Sequence, residues 1–434
     1  MQHVLHGAPW LSAMARVFDR ADAPLYVVGG GVRNPLMGLP LSDVDVCGPL
    51  LPEAVCRICE GTAVRTHIRA AHLGTVELYV TDESGVEQMA EYTAWREETY
   101  AGGHTPISVR FTTDIAVDAR RRDFSVNALY RRVHDGWVED IADPTGGLDH
   151  LNQGLLHTTT EEPDLILGSD GQRILRAARF QAEMDLLPTP ETLESLKRNC
   201  RLMEEISLER HRSELEKLMM ADLRYPMLKR RRPATKSGLD TLNEIGAWEI
   251  LFPGTAYDGE AALALERFGG VLSERMALLF HQLSPDALRA LLLRLRFPVR
   301  EADQAALCLR AFQQPGAPVR DLACIGPEAL ACAVRMRSAL GRDAAAAQSA
   351  LERIAAKPLS VRELAIGGND LKPLFAAQNR PLREMGQVLE ALWLDVLEGR
   401  VVNKRAALME RVLQWGGRPL FAFPSEGKEL RSAD

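Results

Sequence analysis

The chain has 434 residues, 46% of them hydrophobic, and a formal net charge of −7. This length predicts two to four globular domains, and the balance of 52 basic and 59 acidic residues excludes a uniformly basic nucleic-acid-binding surface. The seven cysteines have no regular spacing, which argues against a disulfide framework. Neither a signal peptide nor an apolar span of about 18 residues is present. We therefore expect a cytoplasmic protein without a membrane segment.

A glycine-rich turn followed by paired acidic residues is the first pattern that carries chemistry. Leu25–Val28 is a short apolar segment typical of a β-strand, and Gly29–Gly31 predicts a turn with accessible backbone amides. The next alternating segment predicts a second strand. It carries Asp43 and Asp45 on one face, because residues two apart on a strand point to the same side.

The chemistry of these groups suggests a reaction. Paired carboxylates suit hard cations such as Mg2+, and amides freed by glycine can approach a polyphosphate closely. Each part alone is more often a simple turn or a solvated surface pair. Together they indicate metal-assisted nucleotidyl transfer.

Strand signals continue to about residue 150 and then give way to helical periodicity. Gly74–Val80 and Val86–Ala90 predict a hairpin, and Trp137–Ile141 predicts a further strand. From Asp170 onward, apolar residues recur at helical spacing. The basic cluster Lys229–Arg232 is a candidate RNA contact, although such a cluster is more often a solvated face.

Five segments in order along the chain resemble the signatures of class II tRNA nucleotidyltransferases (CCA-adding enzymes) and bacterial poly(A) polymerases. They are Val28–Asp45, Asp118–Ala128, Asp143–Asp149, Asp170–Phe180 and Ile206–Leu218. A weaker resemblance to the tail region of the tRNA enzymes, between Leu364 and Arg405, favours tRNA repair over poly(A) synthesis.

The resemblance implies an α+β architecture, in which a small mixed-sheet nucleotidyltransferase head is followed by all-helical domains. The head would comprise residues 1–150, a base-reading neck 151–225, a body 226–365 and a tail 366–434. The implied reaction is the addition of CCA to the 3′ acceptor end of tRNA from CTP and ATP, with release of pyrophosphate. The alternatives are a poly(A) polymerase, an enzyme that adds only CC or only A, and, in a different class, a non-catalytic RNA-binding protein.

The resemblance also assigns the catalytic carboxylates and the phosphate cradle. Asp43 and Asp45 would hold two Mg2+ ions, and the third carboxylate would be Glu87, with Glu77 as its rival. Backbone amides and one guanidinium would hold the triphosphate. This cradle is formed by Gly29, Gly30 and Arg33. The residues that would contact the ribose and the triphosphate are Arg122, Asp123 and Asn127, the first two of which alternatively form an internal salt bridge.

Base reading would belong to Asp170 and Arg173, which are neighbours on a helix surface because they are three residues apart. A carboxylate accepts a hydrogen bond from the exocyclic amine of cytosine or adenine, and a guanidinium donates to the adjacent ring nitrogen. Uracil and guanine have a carbonyl in place of the exocyclic amine and an N–H in place of the ring-nitrogen acceptor. The pair would therefore reject both bases. Arg176 and Arg179 continue the same spacing and are assigned to nucleotide binding with the pair.

One departure from the family pattern and one agreement with it bear on the activity. Asn34 occupies the position where the family usually has Asp after Val-Arg, which removes a carboxylate but no metal ligand. The segment Glu91–Arg110 is predicted to be a flexible loop, and its presence favours competence for adding the final A.

Overall fold

The structure is a computed structural model that describes residues 8–41, 44–100, 106–355 and 357–415. Asp43, the first carboxylate of the predicted pair, lies outside the described residues. The chain forms two compact units. The first comprises the chain up to Arg275 together with Leu291–Pro298, and the second comprises Met276–Ala290 together with the chain from Val299 onward. These units are coarser than the four predicted domains, whose limits stay predictions.

The strands of the described residues all lie in the first unit. They are β1 (Leu25–Val28), β2 (Asp45–Gly48), β3 (Arg65–Ala70), β4 (Thr75–Thr81), β5 (Glu87–Ala94), β6 (Arg96–Thr99), β7 (Ser108–Phe111), β8 (Tyr130–His134), β9 (Trp137–Ala142), β10 (Leu155–Leu156) and β11 (Leu187–Pro188). Seven of them form one sheet in the order β3-β4-β5-β2-β1-β8-β9. Within it β2 pairs with β5 in parallel, and the other neighbours are antiparallel. The predicted mixed sheet is confirmed.

Helices flank the sheet and make up nearly all of the remaining regular structure. Those of the first unit are α1 (Leu11–Arg20), α2 (Gly30–Leu36), α3 (Pro52–Cys59), α4 (Ile115–Arg120), α5 (Gly147–Gln153), α6 (Pro163–Leu167), α7 (Gln172–Met184), α8 (Pro190–Asn199), α9 (Leu208–Met219), α10 (Ala221–Arg224), α11 (Ala234–Glu244), α12 (Ala247–Leu251) and α13 (Gly259–Phe268).

The chain then passes through α14 (Leu272–Leu279) and α15 (Pro285–Arg294), which each contain residues of both units. The helices of the second unit are α16 (Val299–Gln313), α17 (Val319–Ile325), α18 (Pro327–Ala339), α19 (Ala345–Ile354), α20 (Gly368–Ala377), α21 (Met385–Leu397) and α22 (Arg405–Gln414). None of the helices in the described ranges combines the length and the apolar content that a bilayer crossing requires.

One face of the seven-stranded sheet packs in the hydrophobic core. Val76, Leu78 and Val80 of β4 are buried there, and Phe18 of α1 belongs to the same cluster. Because side chains alternate along a strand, Glu77 points to the opposite face. The sheet therefore offers that second face to a polar site.

Helix α7 packs closely against α9 and α11. The contact depends on Gly238 of α11, where a Cβ atom would lie 2.5 Å from the Ala178 carbonyl oxygen of α7. Since real Cβ atoms do not approach a carbonyl this closely, any other residue would push the two helices apart. This packing holds α7 in place beside the head.

The predicted strands of the head are confirmed, but one prediction is wrong. Glu91–Arg110 is not a loop, because it contains the end of β5, all of β6 and most of β7. Strands β6 and β7 are polar, so apolar alternation did not reveal them. Backbone pairing joins them, and Arg110 Nε of β7 donates to Glu97 Oε2 of β6 at 3.0 Å. Residues 101–105 lie outside the described residues.

Candidate active site

One cavity in the first unit has a volume of about 490 Å³ and is lined by residues that follow β1, begin β2 and extend along α7. It brings together Asp45 and all the residues predicted to bind nucleotide: Gly29, Gly30, Arg33, Arg122, Asp123, Asn127, Asp170, Arg173, Arg176 and Arg179. Guanidinium groups dominate the lining, so the cavity suits a polyanion. The lining residues that the sequence analysis missed are Arg96, Glu98, Tyr100, Arg121, Gln172, Phe180, Lys217 and Arg224.

Gly29 turns the chain from β1 into α2. Its φ of 63° and ψ of −122° form a conformation in which a side chain would be strained. Its amide donates a hydrogen bond to the Leu129 carbonyl at 3.1 Å, which ties the turn to the segment before β8. A Cβ atom at Gly31 would clash with Val27, so α2 packs on β1 only because this residue is glycine. The predicted turn is confirmed.

Asp45 begins β2 and lies directly across from Glu91 of the parallel strand β5. Burial raises the pKa of the Glu91 carboxyl, and the charge of Asp45 raises it further. The ion pair that Glu91 forms with Arg69 is long, at 3.9 Å. Two facing carboxylates in register on neighbouring strands form an oxygen donor set that fits a divalent cation.

The structure places Glu91, and not Glu87, beside Asp45, and which of the two acts as third carboxylate stays a prediction. Glu87 lies four residues earlier on β5 and forms a salt bridge with Arg65. Four residues of strand span about 13 Å, which is too far for both to bind the same ion. The rival Glu77 lies opposite Glu91 on β4 but forms its own ion pair with Arg69 at 3.0 Å.

Arg33 stands at one end of a connected series of polar contacts. Its Nη1 donates to Asn127 Oδ1, and Asn127 Nδ2 donates to Asp123 Oδ1 at 3.0 Å. Asp123 Oδ2 in turn accepts from Arg176 Nε at 2.8 Å and Nη2 at 2.6 Å. Burial alone would raise the pKa of Asp123, but the Arg176 charge and the Asn127 amide outweigh burial and hold this pKa well below its ordinary value. The four residues therefore form a single group.

Asp118 is a fully buried carboxylate that the sequence analysis did not place in the site. It accepts hydrogen bonds from Arg121 Nε at 2.7 Å, from Arg122 Nη2 at 3.0 Å and from the Tyr130 hydroxyl at 2.7 Å. Burial would raise its pKa, but the two guanidinium charges outweigh burial and keep the pKa well below its ordinary value. Asp118 thus orients two arginines of the cavity. The salt bridge considered between Arg122 and Asp123 is replaced by separate partners for each.

Asp170 and Arg173 lie at the start of α7, and both line the cavity. The Arg173 guanidinium is buried and donates to two main-chain carbonyls, those of Ile166 at 3.2 Å and Arg121 at 2.9 Å. These carbonyls fix the guanidinium without neutralising its charge. The structure brings the two residues together, and their role in reading a base stays a prediction.

The ring of Phe180 lies under three guanidinium groups of the cavity. The ring centre is 5.3 Å from Arg33, 5.1 Å from Arg176 and 4.1 Å from Arg179. Such a ring face attracts cations. Arg179 also pairs with two carboxylates, one of them Glu183 at 2.7 Å, so it is held within the wall more firmly than the sequence suggests.

The cluster Lys229–Arg232 is less available to RNA than its sequence suggests. Arg230 Nη2 donates to a main-chain carbonyl at 2.9 Å, and Arg232 Nε donates to Asp185 Oδ1 at 2.9 Å. The side chain of Arg231 is exposed. Replacing the whole cluster would therefore also remove structural contacts.

Comparison with known proteins agrees with this geometry. Residues 25–157 match the family model of the Poly A polymerase head domain. The CCA-adding enzyme of Geobacillus thermodenitrificans (strain NG80-2) is 30% identical over 412 residues, which cover 92% of this chain and 94% of that protein.

Solved structures extend the comparison. The crystal structure of the Bacillus stearothermophilus CCA-adding enzyme in complex with CTP has a TM-score of 0.72 at 27% identity, covering 94% of this chain and 98% of that one. The Thermotoga maritima CCA-adding enzyme complexed with tRNA has a TM-score of 0.59 at 18% identity, covering 93% of this chain and 94% of that one. At this identity the similarity is one of fold. Since the sequence identity to the Geobacillus enzyme extends over nearly the whole of both chains, the protein belongs to the family of CCA-adding enzymes.

Proposed function

We propose that this protein adds CCA to the 3′ acceptor end of tRNA, using CTP and ATP and releasing pyrophosphate. The observation that carries the proposal is the single cavity in which the glycine turn, the β2 carboxylate and the arginines of α7 meet. Its guanidinium groups suit a triphosphate, and its carboxylates suit a metal ion beside it. A related enzyme of the same fold has been solved with CTP. A cytoplasmic location stays a prediction.

Asp45 and Glu91 would hold Mg2+ together with Asp43. The proposal rests on the donor set, since the first two carboxylates face each other across paired strands. When bound, Mg2+ lowers the pKa of the RNA 3′-hydroxyl and neutralises charge on the departing pyrophosphate. The strands supply rigidity, because β2 is paired on both edges, with β1 and with β5. The backbone positions of Asp45 and Glu91 are therefore held in a fixed register.

Arg173 and Asp170 would select the incoming base. A guanidinium has five N–H groups, and Arg173 uses its two terminal nitrogens for main-chain carbonyls. Its remaining N–H groups are available to a ring nitrogen of cytosine or adenine. Asp170 would accept from the exocyclic amine of the same base. One pair of side chains can thus accept CTP and ATP and reject UTP and GTP.

The deciding experiment supplies tRNAs that lack one, two or three 3′ nucleotides, with Mg2+ and each nucleotide separately, and sizes the products. CCA addition predicts C incorporation on the two shorter tRNAs and A incorporation on the longest. Extended A tracts would indicate poly(A) synthesis. Products that stop after CC, or that contain only the last A, would indicate a partial enzyme. Absence of any product with all nucleotides present would contradict catalysis.

Replacing Glu91 tests whether it, and not Glu87, is the third carboxylate. Glu91→Gln keeps the shape of the side chain but loses the charge, so we expect the incorporation rate to fall by about 10- to 100-fold. Glu87→Gln is the matched control on the same strand and should stay within about twofold of wild type. Single-turnover incorporation at saturating Mg2+ measures both. A larger loss in Glu87→Gln than in Glu91→Gln would restore the original assignment.

Replacing Asp170 tests base reading. In Asp170→Asn one acceptor oxygen becomes an amide NH2 group, which can donate a hydrogen bond to the carbonyl of uracil. We expect the preference for CTP over UTP to fall by about 10- to 100-fold, because a bidentate contact is worth about 1–3 kcal/mol of discrimination. Competition between CTP and UTP on a tRNA awaiting its first C measures the ratio. Selectivity retained in this variant and in Arg173→Lys would place base reading elsewhere.

A further inference from the structure

Strand β3 forms one edge of the seven-stranded sheet. Its residues Arg65, His67 and Arg69 have side chains that are 68%, 69% and 61% exposed. His67 lies opposite Glu77, which is on the polar face of the sheet, and Arg69 pairs with the same carboxylate at 3.0 Å. Because alternate residues of a strand share a face, Arg65 points the same way. The edge strand therefore presents three basic side chains to the polar face.

The polar face continues from β3 to the carboxylates that are proposed to hold Mg2+. Glu77 of β4 lies opposite Glu91 of β5, which lies opposite Asp45 of β2. His67 extends the same row onto β3. Neighbouring strands are about 4.8 Å apart, so the row from β2 to β3 measures about 14 Å. A cavity of about 200 Å³ lies at the start of this row and is lined by both Asp45 and Glu91.

The nucleotide cavity lies on the opposite side of Asp45. Its glycine turn follows β1, which pairs with one edge of β2, whereas β5 pairs with the other edge. In-line displacement at phosphorus places the attacking oxygen and the leaving oxygen on opposite sides. The 3′-hydroxyl of the RNA and the pyrophosphate therefore need to lie on different sides of the carboxylates. The face formed by β5, β4 and β3 is on the side away from the glycine turn.

The two arginines of β3 can exchange their present partners for phosphate. Arg65 pairs with Glu87. Arg69 pairs with Glu77 at 3.0 Å and with Glu91 at 3.9 Å. Ion pairs between exposed groups contribute little to stability, and a guanidinium matches the oxygens of a phosphate as well as those of a carboxylate. An approaching RNA phosphate can therefore replace these carboxylates.

The same face also offers apolar surface beside the arginines. Tyr79 of β4 lies opposite Met89 of β5, and Met89 is 48% exposed. The Tyr79 ring centre lies 5.3 Å from the guanidinium carbon of Arg65. Surfaces that bind single-stranded RNA combine cations for the backbone with aromatic rings on which bases stack. The composition of this face fits such a strand.

We propose that the face formed by β3, β4 and β5 binds the RNA strand that is being extended, with Arg65 and Arg69 contacting the phosphates of its last few nucleotides. This inference rests on the proposed function, since it names the surface along which the RNA reaches the carboxylates. A stacked strand rises about 3.4 Å per nucleotide, so a row of about 14 Å accommodates about four nucleotides. Charged groups on an edge strand also prevent pairing with another chain, but that role does not require charges of one sign.

The test compares two RNA probes in the wild type and in the double variant that combines Arg65→Gln with Arg69→Gln. One probe is a tRNA that lacks only its 3′ A, and the other is the same tRNA lacking three further 3′ nucleotides. We expect the affinity for the longer probe to fall about tenfold and that for the shorter probe to change by less than about twofold. For the longer probe, the slope of log affinity against log salt should decrease by about 1.4, which corresponds to two phosphate contacts of a single strand.

The matched control is Arg16→Gln. Arg16 forms an exposed ion pair with Asp135, which lies between β8 and β9 at the other end of the strand order. This change should leave the affinities for both probes unaltered. Arg65→Gln alone, whose ion pair does not involve Glu91, should lower the affinity for the longer probe about threefold.

Calorimetric titration with CTP separates RNA binding from an effect on Glu91, and we expect the CTP affinity of the double variant to match that of the wild type. An equal change for both RNA probes, or no change for either, would overturn the proposal. A loss confined to CTP affinity would also overturn it, by assigning Arg69 to the metal site. Failure of the proposed function is recognised separately, because wild-type protein would then extend no tRNA.

Discussion

Asp45→Asn is expected to lower the rate of C incorporation by several orders of magnitude, about a thousandfold or more, because it removes the charge of a metal ligand. Asparagine has the same shape, and Asp45 is exposed at the start of β2, so the sheet should be unaffected. We also expect affinity for tRNA to be retained, because the substitution leaves the helical part of the chain unaltered. Single-turnover incorporation with enzyme in excess measures the chemical step.

The incorporation rates of Asp45→Asn and wild type should be measured over a range of Mg2+ concentrations. Loss of a ligand weakens metal binding, so raising Mg2+ should recover only part of the rate of Asp45→Asn. Glu87→Gln serves again as the control, since it removes a carboxylate from the same sheet. A rate of Asp45→Asn within about tenfold of wild type at every Mg2+ concentration would rule out the metal role.

Asp118→Asn is expected to cost the largest amount of stability of any change considered. The substitution removes the charge that compensates the Arg121 and Arg122 guanidinium groups. The side chain of Asp118 has no exposed surface. Leaving buried charges without their partner costs about 3–5 kcal/mol. Differential scanning calorimetry of wild type and variant measures the loss. Asp135→Asn is the matched control, because Asp135 pairs with Arg16 on an exposed surface, and it should change the unfolding midpoint little.

The stability effect of Asp118 should also depend on pH. The pKa of this carboxyl is depressed in the folded protein, so its contribution is fully present above the ordinary aspartate pKa of about 4. The contribution is lost as the pH falls below that value towards the folded pKa, where protonation removes the charge in both states. The difference between wild type and Asp118→Asn should therefore shrink in acid. A difference that stays constant from neutral pH to about pH 2 would contradict the ionic role.

Local patterns predicted much of the head. The strand Leu25–Val28, the glycine turn after it and the hairpin of β4 and β5 follow from alternation and turn chemistry, which involve residues near each other in sequence. The sequence did not predict which glutamate lies beside Asp45, for a related reason. Glu87 and Glu91 are four residues apart and share one face of β5, so alternation cannot choose between them. Only the parallel register of β5 with β2 distinguishes the two glutamates. That register joins segments over 40 residues apart.

The residues that line the cavity show the same limit of prediction from local sequence patterns. The arginines of α7 were predicted from their helical spacing, and they do line the cavity. Their partners were not predicted, because these include groups far away in sequence, such as the Arg121 carbonyl that holds Arg173. The pair of Asp118 and Arg122 is not predicted by helix geometry, because α4 ends at Arg120 and Arg122 lies beyond it. The adjacent Asp123 is the partner that the sequence favours.

The position of β1 in the sheet has a consequence for synthesis on the ribosome. Strand β1 lies between β2 and β8, and its pairing with β8 joins Val28 to Tyr130, about 100 residues later in the chain. Ribosomes add about 5–20 residues per second, so one apolar edge of the nascent sheet stays open for about 5–20 s. An unpaired apolar edge is a template for aggregation. The pairing of β1 is therefore complete only after Tyr130 has emerged.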